Sequence, residues 1–216
     1  MAFDYNGLIR KPAQYIAGAF EPDLVSIEDI ENYLNERKYI KKELELIHPD
    51  TGQKLPYETH DGPWRGTYDA DVIENLWNIG ASFILQTPYI NFKVRDMVQA
   101  IEEANHVSCD AHIYHGKKNS SSFMPHCDSS INLVVQCKGQ CAWNVWNQMN
   151  PVPSTFPNIA ERPAISVVMS PGDAMIVPKG QIHHAQPLTD RISVSFAFFP
   201  GPKTIQRDIS LDWNTK

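Results

Sequence analysis

Two short segments of the chain carry residue types that bind divalent metal ions. The first is the triplet His126-Cys127-Asp128, and the second ends at His183. Residues two apart in a β-strand point to the same face, so His126 and Asp128 can reach one ion while Cys127 points away. A histidine from a distant strand would complete a set of two imidazoles and one carboxylate. Such a set occupies one face of an octahedron and leaves three positions open, as in iron(II) sites that activate oxygen.

The segment before His183 makes this assignment more specific. Residues 172–183 read Gly-Asp-Ala-Met-Ile-Val-Pro-Lys-Gly-Gln-Ile-His, in the spacing G-x5-P-x-G-x2-H. Gly172 would turn the chain into a strand, Pro178 would end that strand, and Gly180 would allow the tight turn that returns His183 to the site. A His-x-Asp triplet arises by chance in many chains, so the two segments indicate a metal site only in combination.

Neighbouring histidines compete for the third ligand position. If a strand carries His183, the adjacent His184 faces the other way, and His183 is therefore preferred. His112 and His115 precede the first motif, and we expect them to be structural or to contact the ligands rather than the metal. No catalytic residue beyond the three metal ligands is predicted.

The composition is that of an ordinary globular chain. Its 216 residues, 42% of them hydrophobic, suffice for one domain with a substantial core. A formal net charge of −6 gives no general attraction to nucleic acid or to an anionic membrane. No stretch reaches the roughly 18 apolar residues of a bilayer span, and Met1–Pro12 lacks the pattern of a secretory signal. We therefore expect a cytoplasmic protein with reduced cysteines, at Cys109, Cys127, Cys137 and Cys141.

The first half of the chain predicts helices, and the second half predicts strands. Helices are expected at 27–37, behind a capping box that begins at Ser26, at 71–78, and from the cap Asn91 to about 104. After a strand at 81–85, short runs rich in Val, Ile, Phe and Trp alternate with turn residues, which is typical of an antiparallel barrel or sandwich. The predicted strands of this half are 109–115, 131–137, 141–147, 164–169, 174–178, 182–187 and 191–199.

Taken in order along the chain, these features resemble the JmjC-type hydroxylases, particularly the ribosomal-oxygenase-like cupins, over about Ile79–Pro200. Residues 172–183 have the spacing of the second cupin motif, and the segment 171–199 resembles the family's closing hairpin. The other residues that carry the resemblance are 80–85, 111–114, the triplet 126–128, Asn132, Gln136, Gly139 and Trp143.

The resemblance implies a mainly β fold, a double-stranded β-helix (jelly-roll or cupin) barrel with an α-helical N-terminal portion packed on it. We expect a single domain over 1–216, with helical support at 1–107, the barrel at 108–200 and a tail at 201–216. The family implies Fe(II), 2-oxoglutarate and O2 as cofactor and co-substrates. It also implies hydroxylation of a C–H bond in a protein, a peptide or a small molecule, with succinate and CO2 as co-products.

One position departs from the family pattern. In many JmjC relatives, a lysine two residues after the turn glycine binds the distal carboxylate of 2-oxoglutarate. Here the turn glycine is Gly139 and the position holds Cys141, while Lys138 precedes the glycine and is expected to face solvent.

A replacement anchor follows the second motif. Arg191-Ile192-Ser193 resembles the R-x-S pattern of other 2-oxoglutarate oxygenases and the arginine of prolyl hydroxylases. Arg191 and Ser193 would share one face of a strand, offering a bidentate guanidinium and a hydroxyl to the carboxylate. The alternative is that Arg191 only marks a hairpin edge. Tyr114 and Asn132 are weaker candidates for the same co-substrate and could equally be satisfied core groups.

The substrate side of the prediction is broader. Lys117 and Lys118, in the loop before the metal motif, could attract an acidic substrate, and Trp143 could form part of the pocket wall. A peptide, an amino acid and a nucleoside remain open as substrates, and a homodimer is possible. Two alternative hypotheses remain: a cupin that uses another divalent metal without 2-oxoglutarate, and a non-catalytic binding module.

Overall fold

Two antiparallel β-sheets face each other and enclose the residues of the predicted metal site. The computed structural model describes residues 3–37, 44–48, 70–87, 89–120, 123–150, 154–155, 159 and 162–200. The predicted tail at 201–216 lies outside the described residues. None of the described helices is long and apolar enough to cross a membrane.

Twelve strands and three α-helices make up the described elements. The helices are α1 (Ile27–Arg37), α2 (Ala70–Asn78) and α3 (Phe92–Asn105), with a 3-10 turn at Leu8–Arg10. The strands are β1 (Gln14–Ile16), β2 (Leu44–Ile47), β3 (Ser82–Gln86), β4 (Val107–Gly116), β5 (His126–Cys127), β6 (Ile131–Lys138), β7 (Cys141–Met149), β8 (Ser154–Thr155), β9 (Ile165–Met169), β10 (Ala174–Val177), β11 (Gln181–Pro187) and β12 (Arg191–Pro200).

The strand order confirms the predicted double-stranded β-helix. A seven-stranded sheet runs β1-β10-β6-β12-β4-β3-β2, and a five-stranded sheet runs β8-β5-β11-β7-β9. Every described pairing is antiparallel. The sheet order interleaves early and late strands, so each sheet draws on distant parts of the sequence.

Local side-chain bonds begin two of the helices where the sequence predicts. Ser26 and Asp29 form a reciprocal capping box, in which the Asp29 N–H donates to Ser26 Oγ and the Ser26 N–H donates to the Asp29 carboxylate. The Asn91 side chain accepts from the Val94 N–H at 2.9 Å and caps α3. These bonds satisfy backbone donors that would otherwise lack partners in the first turn.

The core has a layer on each face of the seven-stranded sheet. On the face away from the second sheet, α3 buries Val94, Val98 and Ile101 against β4. Between the sheets, Val134 and other buried apolar side chains fill the barrel next to the metal cluster. Each fully buried aliphatic side chain contributes about 1.5–3 kcal/mol, so the helical layer and the barrel interior both stabilise the sheet.

A buried carboxylate attaches the N-terminal segment to the barrel. Asp173, which is 7% exposed, follows the turn before β10. It accepts hydrogen bonds from Tyr15 Oη at 2.9 Å, the Gly18 N–H at 2.9 Å and the Ser170 N–H at 2.8 Å. The first two donors belong to the segment that adds β1 to the edge of the sheet.

We expect Asp173→Ala to lower the free energy of unfolding by about 3 kcal/mol or more, because each hydrogen bond to a charged group is worth about 1.5–3 kcal/mol. Urea unfolding followed by tryptophan fluorescence measures the loss. The matched control is Asp96→Ala, an exposed aspartate paired with Arg95 on α3, for which the expected change is within about 0.5 kcal/mol. Equal effects of the two substitutions would contradict the anchoring role of Asp173.

Candidate metal centre

Three side chains converge on one point between the sheets, two from strands β5 and β11 and one from the residue directly after β5. One ligand atom each from His126, Asp128 and His183 lies within 4.8 Å of the others. His126 Nε2 is 3.6 Å from Asp128 Oδ1, and His183 Nε2 is 3.5 Å from Asp128 Oδ2. Two imidazole nitrogens and one carboxylate oxygen at this spacing are a donor set that suits a divalent transition metal.

Strand pairing brings the two motifs together. His126 on β5 and His183 on β11 are direct partners across the antiparallel ladder. The Gly180 N–H donates to the Asp128 carbonyl at 2.9 Å, which joins the turn before β11 to the third residue of the triplet. Gly180 has φ 77°, and a Cβ there would lie 2.5 Å from the Asn150 carbonyl oxygen. The turn therefore needs glycine for both its conformation and its packing.

Backbone carbonyls orient both histidine rings. His126 Nδ1 lies 2.8 Å from the Met124 carbonyl and His183 Nδ1 lies 3.0 Å from the Gln181 carbonyl. A carbonyl only accepts, so each Nδ1 carries the proton and each Nε2 keeps its lone pair facing the cluster. Burial, reinforced by the nearby His126, lowers the pKa of His183 to about 4. The His183 ring is therefore neutral near pH 7, as a metal ligand must be.

An amide holds the carboxylate of the cluster in place. Asn132 Nδ2 donates to Asp128 Oδ2 at 2.7 Å. The amide oxygen of Asn132 accepts from Ser130 Oγ at 3.2 Å and from Ser195 Oγ at 3.3 Å. Two hydroxyl donors thus fix which end of the amide faces Asp128. Asn132, predicted as a co-substrate contact, lies in the cavity wall and is hydrogen-bonded to the carboxylate of the cluster.

The other histidines lie outside this cluster. His184 is half-buried on the opposite face of β11, where its cross-strand partner is Asn144. His115 stacks on Trp77 with ring centroids 4.4 Å apart. Burial lowers the pKa of His115, and its Nδ1 lies 3.2 Å from the Arg191 carbonyl. His112 is on β4, opposite Ser195 of β12.

A cavity opens beside the cluster. Five residues predicted as co-substrate or substrate contacts line it, namely Tyr114, Asn132, Trp143, Arg191 and Ser193. Four further residues that were not predicted from the sequence also line it, namely Phe123, Val134, Ala185 and Ser195. Ser195 follows Ser193 by two positions on β12, so strand alternation alone could have identified it.

The buried Arg191 guanidinium lines the cavity. Arg191 is 2% exposed, its Nη1 donates to Cys141 Sγ at 3.4 Å, and its guanidinium carbon lies 5.6 Å from the centre of the Tyr114 ring. Burial, and then the charge of Asp128, raises the pKa of Tyr114, so its hydroxyl stays protonated and can donate. The guanidinium and the phenolic hydroxyl together suit an anionic group of a small ligand.

The second residue of the Arg-x-Ser pattern already has an acceptor. Ser193 Oγ donates to Gln136 Oε1 at 2.8 Å. The same glutamine is fixed by its Nε2, which donates to the Lys138 and Gly139 carbonyls at 2.7 and 3.2 Å. Because its proton is already donated to Gln136, the Ser193 hydroxyl can only accept a hydrogen bond from a further partner.

The predicted substrate contacts divide into one that lines the cavity and two that do not. Trp143 is 5% exposed and stacks on His183, with ring centroids 5.9 Å apart and 11° between the planes. Lys117 Nζ lies over the Trp77 ring at 5.0 Å, and the Lys118 N–H donates to Asp190 Oδ1 at 2.8 Å. Neither lysine is among the residues that line the cavity.

Comparison with known proteins identifies relatives of the chain. The family described as JmjC domain matches residues 86–205, more than half of the 216 residues. Ribosomal oxygenase 1 of Rattus norvegicus is 24% identical over 192 residues, which cover 82% of this chain and 30% of that protein. The bifunctional lysine-specific demethylase and histidyl-hydroxylase NO66 of Aedes aegypti is 30% identical over 100 residues, which cover 43% of this chain and 16% of that protein.

Solved structures of Escherichia coli YcfD share the fold. One superposes with a TM-score of 0.63 at 18% identity, covering 90% of this chain and 51% of YcfD. A ribosomal oxygenase YcfD in complex with cobalt and 2-oxoglutarate superposes with a TM-score of 0.61 at 16% identity, covering 90% and 49%. The chain spans less than a third of the length of the ribosomal oxygenase 1 sequences that it matches. The family match includes the metal cluster and the strands around it, and the chain belongs to the JmjC domain family.

Proposed function

We propose that this chain is an Fe(II)- and 2-oxoglutarate-dependent dioxygenase that hydroxylates a C–H bond of a protein, a peptide or a small molecule. The observation that carries the proposal is the convergence of His126, Asp128 and His183 on a cavity that the buried Arg191 also lines. The relatives support it, because their names include ribosomal oxygenase and histidyl-hydroxylase, and YcfD has been solved with cobalt and 2-oxoglutarate.

The three ligands would hold iron on one face and leave the cavity side open. His126 and His183 would each bind through Nε2, and Asp128 would bind through a carboxylate oxygen. Iron with 2-oxoglutarate and O2 would supply the oxidising chemistry, with succinate and CO2 as co-products. The protein supplies the fixed ring orientations, the amide that steadies Asp128, and an enclosing wall that includes Phe123.

Arg191 would bind the distal carboxylate of 2-oxoglutarate. Its Nη1 now donates to a thiol, which is a weak acceptor, and a carboxylate would be a much stronger partner for the same fork. A residue that only marked a hairpin edge would be exposed, whereas Arg191 is buried in the cavity wall. The protonated Tyr114 would add a neutral donor nearby, and the Ser193 hydroxyl would have to release Gln136 before it could donate.

Asn132 would act on iron through Asp128. We expect Asn132→Ala to weaken Fe(II) binding by about 10–100-fold, the usual cost of removing a group that orients a metal ligand. Anaerobic competition with a chelating dye measures the affinity. Asn144→Ala is the matched control, because Asn144 pairs with His184 on the other face of β7. An unchanged affinity in Asn132→Ala would mean that Asp128 needs no such support.

Anaerobic titration of the purified protein with Fe(II) and 2-oxoglutarate tests the proposed function. The expected result is a visible metal-to-ligand charge-transfer band that appears only when both are present. Bound iron without a band, and without calorimetric binding of 2-oxoglutarate, would favour a cupin that uses its metal alone. Protein that binds neither would favour a non-catalytic binding module.

A protein is the first substrate class to test. The name of one relative describes a histidyl-hydroxylase, which acts on a residue of a protein. Mass spectrometry of candidate proteins after incubation with the iron-loaded enzyme, 2-oxoglutarate and O2 would reveal an added oxygen atom. Turnover of free amino acids or nucleosides, with no modified protein, would point to a small-molecule substrate instead.

A further inference from the structure

One buried donor in the cavity wall lacks an ordinary hydrogen bond. Trp143 lines the cavity and is 5% exposed, and its indole Nε1 has no hydrogen-bond partner of good geometry among the described residues, although it faces the weak acceptor Cys141 Sγ. An indole N–H can only donate. Buried donors in native structures nearly always have an acceptor, so one without it calls for a ligand.

The Cys141 thiol, a weak acceptor on the same strand, faces the indole N–H of Trp143. Cys141 precedes Trp143 by two positions on β7, so both side chains lie on the same face. Burial raises the pKa of the Cys141 thiol, against the opposing effects of Arg191 and, more weakly, of the Trp143 side chain. The Arg191 guanidinium already donates to that sulfur at 3.4 Å. Two donors thus face one weak acceptor, which leaves this end of the cavity rich in donors.

We propose that the Trp143 indole N–H is a second donor to the carboxylate that Arg191 binds, so that the co-substrate anchor combines an arginine of β12 with a tryptophan of β7. The inference rests on the proposed function, because it adds a contact to the same co-substrate. A carboxylate has about four lone-pair sites, enough for a guanidinium fork and an indole together.

The position of Trp143 links the two groups of the site. Its ring stacks on His183, with ring centroids 5.9 Å apart, and its N–H is close enough to the Cys141 thiol to oppose the rise in the pKa of that thiol. One rigid side chain therefore contacts both a residue of the metal cluster and the thiol to which Arg191 donates. The competing explanation is that the ring only packs with Val134 and Met175, in which case phenylalanine would serve equally well.

Trp143→Phe separates the two explanations, because it keeps an aromatic ring and removes the N–H. Affinities of the anaerobic Fe(II)-loaded protein are measured for 2-oxoglutarate and for 2-oxopentanoate, which has the same carbon chain without the distal carboxylate. We expect Trp143→Phe to weaken 2-oxoglutarate binding by about 10-fold or more, as for other hydrogen bonds to charged groups. Binding of 2-oxopentanoate should change by less than about twofold. Trp146→Phe, on the opposite face of β7, is the control and should leave both affinities unchanged.

Each other outcome overturns the inference in a distinguishable way. Equal weakening of both acids assigns Trp143 to packing alone, and no weakening of either shows that the N–H makes no contact with the ligand. Wild-type protein that binds iron but neither acid overturns the proposed function as well.

A second measurement covers a Trp143→Phe variant that does not fold. In the Zn(II)-loaded wild-type protein, one of the five indole N–H signals should move downfield with 2-oxoglutarate and stay in place with 2-oxopentanoate. If each of the five indole signals responds to 2-oxoglutarate as it does to 2-oxopentanoate, the inference is overturned.

Discussion

Replacing His183 with alanine should weaken Fe(II) binding by more than about 100-fold, whereas replacing the adjacent His184 should leave it within about twofold of the wild type. The two residues are neighbours on β11, but only His183 joins the cluster with His126 and Asp128. Removing a direct ligand should decrease the metal affinity by more than the roughly 10–100-fold that follows removal of a group that only orients a ligand. The pair is therefore a matched test of which histidine is the third ligand.

Anaerobic competition with a chelating dye gives the affinities, and thermal unfolding of the metal-free proteins verifies that both variants fold. If His184→Ala loses iron and His183→Ala keeps it, the assignment of the cluster is wrong. If both variants keep iron, the cluster is not the metal site. Asp128→Ala extends the series, because its loss should remove both iron binding and activity.

Arg191→Gln should weaken 2-oxoglutarate binding by about 10–150-fold and leave iron binding nearly unchanged, because a hydrogen bond to a charged group is worth about 1.5–3 kcal/mol. Glutamine keeps part of the stem and removes the charge. Arg191→Lys should give an intermediate loss, since an ammonium keeps the charge without the planar fork. The charge-transfer band at increasing 2-oxoglutarate concentrations reports the affinity, and the exposed Arg162→Gln is the control.

A two-residue swap sharpens this test. Cys141→Lys alone would bury a second cation beside Arg191 and should destabilise the protein. Combined with Arg191→Gln, it places one cation at the position that the family's lysine occupies, and 2-oxoglutarate binding should partly return. Wild-type affinity in Arg191→Gln would show that Arg191 is not the anchor.

The convergence of His126, Asp128 and His183 was predictable because its sequence information is local. The spacing of His126 and Asp128 and the glycine-proline pattern before His183 are each contained within about a dozen residues. Strand alternation likewise predicted that Arg191 and Ser193 share a face, and both line the cavity. The mainly β fold was predictable for the same reason, since regular short strands carry a period-two pattern.

The remaining details depend on contacts between distant parts of the chain. No local pattern shows that Ser193 donates to Gln136, 57 positions away, or that Asn132 donates its amide to Asp128. Lys117 was expected near the substrate, but its ammonium group lies over the ring of Trp77 on α2. Two strands that the sequence did not predict, β2 and β8, have four and two residues, too few for a periodic signal.

The hairpin of β11 and β12 has a consequence for how such chains are recognised. It carries His183 in the five-stranded sheet and Arg191 in the seven-stranded sheet, separated by only seven residues of chain. A search that requires a lysine at the position of Cys141 would classify this chain as a degenerate, inactive homologue. As the proposed anchor, Arg191 brings a positive charge into the same cavity from the other sheet, on β12 instead of β7. Surveys of this fold are therefore better made on the charge lining the cavity than on the residue type at one aligned column.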